Sequence, residues 1–347
     1  MIISRTPFRI SFFGGGTDYP IWYRQHGGAV LATTINKYCY ISCRYLPPFF
    51  AHTSRIVWSR IEQVTRVEDI QHPAVRATLK FLQMTEGLEL HHDGDLPART
   101  GLGSSSSFTV GLLHALYGLK GTMPSKMQLA REAIHIEQEI LREHVGSQDQ
   151  VATAFGGFNR IEFSNNQTTF EVSPVILEEE RLTQLQDHLM LFFTGVSRTA
   201  SEIAAEQVRA TAGKQQELRT MQQMVDAAIA VLKDGGNLEA FGQLLHESWQ
   251  LKKSLTDRIS TPQIDTLYEA SRHAGAIGGK LLGAGGGGFL LLFVRPEEQG
   301  RVKAALNGLL HVPFEFEHGG SRVIFYQPEQ IPESRIKAND VVAPVAV

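Results

Sequence analysis

Cysteine is scarce in this chain: of 347 residues only Cys39 and Cys43 are Cys. They stand four apart in an apolar, strand-like stretch with no second Cys or His cluster beside them. That makes a poor zinc site, and the pair reads as buried free thiols of a reducing compartment. Long apolar runs are missing too. None reaches the roughly 20 residues that cross a bilayer, and no signal peptide opens the chain, so the expectation is a cytoplasmic protein with no membrane partner. Nor is there an excess of positive charge. The net charge is −3, Lys and Arg are scattered, and a nucleic-acid partner is not expected. Repeats and low-complexity segments are also absent.

What remains is a globular composition, 42% hydrophobic and 20% charged. A length of 347 residues predicts two intimate domains, placed at 1–180 and 181–335, with a tail at 336–347. Phe8 to Phe13 reads as a strand that runs into three glycines. Ala29–Ile35 and Tyr38–Arg44 read as a hairpin about Asn36-Lys37. Helical spacing covers 73–86 and follows Leu102 to Gly118, where Phe108, Leu112, Ala115, Leu116 and Leu119 form the buried stripe. Ser125 with Gln128 is a capping-box signature for a helix over about 126–144. Leu189–Thr194 is an apolar strand. Helices then dominate at about 199–233, 238–254 and 262–274, the last opened by Thr261-Pro262. Phe289–Val294, a helix at 297–309 and strands at 312–317 and 322–326 are expected to complete the second domain.

Three glycine motifs carry the chemistry. In Leu96-Pro97-Ala98-Arg99-Thr100-Gly101-Leu102-Gly103-Ser104-Ser105-Ser106-Ser107, glycines let backbone N–H groups converge, the following helix adds positive potential, and the hydroxyls add donors or a metal ligand. That suits a triphosphate with magnesium, and the motif lacks the lysine of a P-loop. Gly101, Leu102, Gly103, Ser104, Ser105, Ser106 and Ser107 are therefore the candidate ATP-binding residues, with Trp58 and Ser59 offered for the adenine. A polar linker ahead of a helix is the plainer alternative. The second motif runs from Pro7-Phe8-Arg9-Ile10 to Gly14-Gly15-Gly16-Thr17-Asp18-Tyr19. Glycines directly after a strand imply close backbone approach to something, and Thr17 and Asp18 suit sugar hydroxyls; a tight turn with an Asx cap fits equally. The third, Lys280-Leu281-Leu282-Gly283-Ala284-Gly285-Gly286-Gly287-Gly288, packs five glycines into six residues, a cost in chain entropy that a tight contact should offset. Here Gly285 and Gly286 are candidate substrate contacts; a hinge is the alternative.

Two acids stand out. On a helix over 126–144, Glu137 falls mid-stripe among Ala130, Ala133, Ile134, Ile140 and Leu141. A carboxylate there is costly unless paired or bound to a cation, and one Glu with a Ser hydroxyl and phosphate oxygens is reasonable magnesium chemistry; an internal salt bridge, or a bent helix that exposes this face, is the plainer alternative. Asp149 follows in Gly146-Ser147-Gln148-Asp149-Gln150, within reach of the same place or simply in a turn.

Taken together, these residues resemble the galactokinase, homoserine kinase, mevalonate kinase and phosphomevalonate kinase superfamily, the GHMP kinases. All three motifs occur in order over about residues 1–330. The resemblance implies an α+β, two-domain GHMP kinase fold: an N-terminal α/β domain like the second domain of a small-subunit ribosomal protein, and a C-terminal ferredoxin-like domain. It implies ATP and a sugar phosphate as small-molecule partners and magnesium as cofactor, and leaves the oligomeric state open. By resemblance Asp149 is the base, Arg9 pairs with it and stabilises charge on the transferring phosphoryl group, Glu137 and Ser105 are the metal ligands, and Gly15, Gly16, Thr17, Asp18 and Tyr19 hold the sugar. Most galactokinases have Gly-Glu-His where this chain has Gly14-Gly15-Gly16, so smaller residues leave room for a bulkier sugar. Phe13-Gly14-Gly15-Gly16-Thr17-Asp18-Tyr19-Pro20, Trp22-Tyr23, His26-Gly27-Gly28 and Thr194-Gly195-Val196-Ser197-Arg198-Thr199-Ala200 look like the D-glycero-D-manno-heptose 7-phosphate kinases. Those phosphorylate the anomeric oxygen in making nucleotide-heptose for bacterial surface polysaccharide. Arg198, at a helix start, is the candidate for the sugar's own phosphate. An L-fucokinase-like activity and a non-catalytic ATP- and sugar-binding regulator are the competing readings.

Overall fold

Residues 2–13 are apolar along most of their length, and the computed structural model, which describes residues 1–165, 169–195 and 200–328, buries them as the strand β1 (Ile2–Phe13). Helix α1 (Pro20–His26) leads to β2 (Gly28–Tyr45), antiparallel to β1 and 18 residues long. The expected hairpin at Asn36-Lys37 does not form. Pro7 stands opposite Tyr38 and Phe8 opposite Ile35, so both halves of β2 pair with β1 and Asn36-Lys37 is the bulge between them. Turn-like residues mark a bulge as readily as a reversal, and here Asn36 is tied down by the Glu315 amide, which donates to its side chain at 2.8 Å.

Next come β3 (Ser54–Val57), β4 (Ile61–Val64), α2 (Pro73–Phe81) and β5 (Leu88–Gly94). Helix α3 (Ser104–Leu119) is apolar nearly all round and lies across β1 and β2 with twelve of its sixteen residues buried. Ser125 caps α4 (Lys126–His135) by accepting from the Gln128 amide at 3.1 Å, and a π-helical turn, Ile136–Ile140, replaces the rest of the expected long helix. Helix α5 (Gln148–Phe155) and strands β6 (Asn159–Phe163) and β7 (Phe170–Pro174) complete this part of the chain.

After α6 (Glu179–Asp187) the chain enters a second sheet through β8 (Leu189–Phe193). The single helix expected over 199–233 is divided into α7 (Ala200–Ala210) and α8 (Gln215–Lys233) by a 3-10 turn at Thr211–Gly213. Helices α9 (Glu239–Lys253) and α10 (Pro262–His273) precede β9 (Ala276–Leu281) and β10 (Phe289–Val294). Thr261 caps α10 through the Ile264 amide. After α11 (Gln299–Ala305), β11 (Leu310–His311) completes a four-stranded antiparallel sheet in the order β11-β8-β10-β9. The strands expected to close this unit instead return to the first sheet: β12 (Phe316–Glu317) pairs with β2 and β13 (Arg322–Tyr326) with β1. Alternation marks a strand but not its partner. The larger sheet thus has nine strands, with the path β13-β1-β2-β5-β3-β4. Helices α8 and α9 pack on each other, on β1 and, for α9, on β9, so one apolar core joins the two sheets.

Cys39 and Cys43 are buried on β2 and form no disulfide among the described residues, and burial pushes the Cys39 thiol up. A thiol reagent such as Ellman's should modify neither in native buffer and both after unfolding in urea. Rapid reaction of the native protein would contradict this packing.

Candidate active site

Arg9 sits near the middle of β1, 3% exposed, with its side chain beneath the start of α3. Its Nε and Nη2 donate to Asp149 Oδ1 and Oδ2, each at 2.7 Å, a bidentate fork. Its Nη1 donates to the Gly101 carbonyl at 2.7 Å, and its backbone amide donates to Leu102 O at 3.0 Å. One residue therefore fixes the first turn of α5, which carries Asp149, against the loop that opens α3. Gly103 is the N-cap of α3 at φ 76, a left-handed conformation that disfavours side chains, and a Cβ there would lie 3.1 Å from Arg9 Cγ and 3.5 Å from Asp149 Oδ2.

These groups line a cavity of about 150 Å³ between the two sheets. Of the serine loop, Gly101, Gly103, Ser104 and Ser105 reach it. Leu102 is core, Ser107 is spent on the Pro7 and Gly103 carbonyls, and Ser106 turns away toward Glu137. From the second motif come Arg9, Gly15, Gly16, Asp18 and Tyr19. Thr17 does not line it: its hydroxyl donates to Gly14 O at 2.8 Å and accepts from the Ala29 amide, a turn-holding role. Gly14 and Gly15 differ in kind. At Gly14, φ 80, a Cβ would fall 1.9 Å from Ala29 O; at Gly15 its nearest neighbour would be Gln148 at 3.7 Å. Gly14 is required by the turn, whereas Gly15 leaves space in the cavity. Asp18 is buried and accepts from the Gly16 amide at 2.9 Å; burial, with the Asp149 carboxylate nearby, pushes its carboxyl up.

In the third motif Gly283 and Ala284 line the cavity, not Gly285 and Gly286. Gly285 and Gly286 pack on Ile259, whose carbonyl accepts from the Gly286 amide at 2.9 Å. Trp58 and Ser59 also lie outside the cavity lining: the Trp58 indole donates to Glu62 at 2.8 Å and meets His72 edge-on, and His72 stacks on Phe108 of α3. Arg198 lies outside the described residues. Lys252 of α9 and Lys280 of β9, not among the expected site residues, are both at the cavity and about 95% or more buried. The signal was present: Lys252 continues the buried stripe of Phe241, Leu245 and Trp249, as Glu137 does its own. Ser11 and Gln148 also line the cavity, and the Ser11 hydroxyl and Gln148 Oε1 have no hydrogen-bond partner among the described residues.

Glu137 is 1% exposed in the π-helical turn. Ser106 donates to it at 2.9 Å, Thr109 at 2.8 Å, and Gln150 also donates. No cation pairs with it among the described residues, and burial pushes its carboxyl up to about 7. The expected partner, Ser105, faces the cavity instead; α3 turns Ser106 and Thr109, three apart, toward Glu137. A buried, uncompensated carboxylate among hydroxyls is a donor set for a hard cation. Among the described residues no three His, Cys, Asp or Glu stand together, so phosphate oxygens and water would supply the remaining ligands, as magnesium commonly requires.

Comparison with known proteins identifies relatives of the chain over most of its length. Residues 70–157 match the GHMP kinases N terminal domain and residues 224–311 the GHMP kinases C terminal domain. The chain is 30% identical to a D-glycero-alpha-D-manno-heptose 7-phosphate kinase of Campylobacter jejuni, over 88% of this chain and 93% of that protein. It is 25% identical to a galactokinase of Pyrococcus furiosus, over 88% and 92%. A crystal structure of a D-glycero-D-manno-heptose 1-phosphate kinase from Bacteroides thetaiotaomicron shares the fold, with TM-score 0.74, 24% identity, and 93% and 98% coverage.

Glu137 gives a test that needs no substrate. Its folded-state value of about 7 exceeds the ordinary 4.5, so the folded protein binds the extra proton and stability falls as pH rises from about 4.5 through 7. In metal-free buffer at pH 8, Glu137→Gln should raise stability by on the order of 2–3 kcal/mol and flatten that slope. Denaturant titration at pH 5 and pH 8 measures both, and an unchanged slope would remove Glu137 as its source.

Proposed function

The chain belongs to the GHMP kinases, ATP-dependent phosphotransferases acting here on a sugar hydroxyl, and on that premise we propose that it phosphorylates the anomeric hydroxyl of D-glycero-D-manno-heptose 7-phosphate to give the 1,7-bisphosphate. The observation that carries the reading is the Arg9–Asp149 fork beside the start of α3, facing a cavity left open at Gly15. The identity to the Campylobacter jejuni protein favours a heptose over galactose.

Asp149 accepts the proton of the anomeric hydroxyl as its oxygen forms the new bond to the γ-phosphorus. The bond from that phosphorus to the β–γ bridging oxygen breaks, and ADP leaves. Arg9 orients the carboxylate and places positive charge beside the transferring group. The amides at the start of α3, with Ser104 and Ser105, receive phosphate oxygens. Asp18, fixed by the Gly16 amide, accepts from sugar hydroxyls. Glu137, with Ser106, would hold magnesium, which when bound neutralises phosphate charge.

Incubation with Mg·ATP and a panel of sugars and sugar phosphates, followed by ³¹P NMR, tests the assignment. The expected result is a new anomeric phosphate on the heptose 7-phosphate; turnover of L-fucose or galactose alone would replace it. Asp149→Asn should lower kcat by about 10²–10⁴-fold and leave ATP binding nearly unchanged. Gly15→Glu should fold normally and raise the KM for the heptose by about 10-fold or more, since the added side chain enters the cavity. A variant with wild-type KM would show that the sugar does not occupy that space.

A further inference from the structure

The cavity holds more buried positive charge than its own acids use. Arg9 is committed to Asp149 through both arms of its fork. Lys252 and Lys280 are 5% and 3% exposed, and neither has a carboxylate within ion-pairing distance among the described residues. Each Nζ makes one hydrogen bond, to a backbone carbonyl: Lys252 to Gly283 O, and Lys280 to Phe12 O at 2.7 Å. An ammonium carries three donors, so two on each lysine remain unspent beside the cavity that both line. Like charge and burial push Lys280 well down, with burial the larger cause, and burial pushes Lys252 down to about 8. Two such groups placed together are unfavourable unless an anion completes them.

We propose that Lys252 and Lys280 form a phosphate-binding pair that receives the acceptor sugar's own phosphate. This deepens the reading given above and rests on its phosphorylated acceptor. Two sources share this chemistry, the acceptor's phosphate and the γ-phosphate of ATP, and position separates them. Lys280 is held on Phe12, the residue before the last of β1, directly ahead of the Gly14–Asp18 turn that faces the sugar. The phosphates of ATP already have the start of α3, with Ser104 and Ser105. Ser11, whose buried hydroxyl has no hydrogen-bond partner among the described residues, lines the same cavity and is a further donor for the anion. The lysines come from α9 and β9, so a phosphate bound there also links the second sheet to the first.

Two measurements on the full chain test this. The first needs no sugar. Inorganic phosphate should raise the Tm of the wild-type protein, and the effect should be lost in Lys252→Met and Lys280→Met, which keep side-chain length and remove charge. An equal rise in all three proteins overturns the site. The second is kinetic. In either variant the KM for heptose 7-phosphate should rise about 10- to 150-fold, the range that losing a charge-assisted hydrogen bond gives, with kcat, the KM for ATP and turnover of the unphosphorylated heptose changing much less. A rise confined to the KM for ATP would assign the pair to the γ-phosphate and overturn the acceptor assignment. If heptose 7-phosphate is not a substrate, the Tm measurement still decides whether the anion site exists. Should a Met variant not fold, phosphate protection of the two lysines from reductive methylation in the wild-type chain, read by mass spectrometry, decides the point; unprotected lysines overturn the proposal.

Discussion

The guanidinium of Arg9 is the contact on which the rest of the site depends. It is buried on β1, and a buried charge is tolerated only when its partners have good geometry and its donors are satisfied. Here the two arms of the fork go to Asp149 and the remaining arm to Gly101 O. Three elements distant in sequence (β1, the loop before α3, and the first turn of α5) therefore meet at one planar group. Lysine could not do this: it has no fork to hold a carboxylate in one orientation while also reaching a carbonyl. The start of α3 is thus aimed by the same residue that orients the proposed base, so phosphate binding and proton transfer share one geometric origin.

A second layer of constraint comes from α5 and the turn after β1. The backbone amide of Ser147 donates to Asp18 O at 2.9 Å and that of Gln148 to Asp18 Oδ2 at 3.4 Å, so the N-terminal end of α5 faces the Asp18 carboxylate. Asp18 and Asp149 are consequently held on the same side of the cavity. Burial, with the charge of Asp149 adding to it, pushes the Asp18 carboxyl up. On the proposed function a polyhydroxyl substrate would offer donors to both.

Much of this arrangement was legible in the sequence, and the limits were physical. Asp18 and Asp149 stood out because they lie in or beside glycine turns or helix starts, where local chain rules apply, whereas Arg9, in mid-strand, was marked only by the resemblance. The buried Glu137 was legible from helical period alone, although the choice between Ser105 and Ser106 was not. Adjacent residues on a helix differ by 100° in direction, and only the packing of α3 says which one looks inward. Gly285 and Gly286 were read as substrate contacts because glycine signals close approach without saying to what; the approach is to Ile259. The strand order was likewise hidden, because β12 and β13 carry the same alternation whichever sheet they join. Lys252 and Lys280 were overlooked for another reason: a lysine in an apolar stripe is usually assumed to extend its charge to solvent, and here both end in the interior.

The charges that the protein buries without a counter-ion define what must bind. Near Glu137 the uncompensated charge is negative, and among the described residues no cation pairs with it; near Lys252 and Lys280 it is positive, and among the described residues no carboxylate lies within ion-pairing distance. Moving either into contact with the other would neutralise both and stabilise the empty protein. The fold keeps them apart, one behind α3 and the other on the opposing elements α9 and β9. On the proposed function, a nucleotide with its metal would bring a cation to the first place and a sugar phosphate an anion to the second, and the folded state would gain stability from both by mass action. On the same reading a neutral sugar of similar shape would bind less well than its phosphate, because it would leave the lysines buried without an anion.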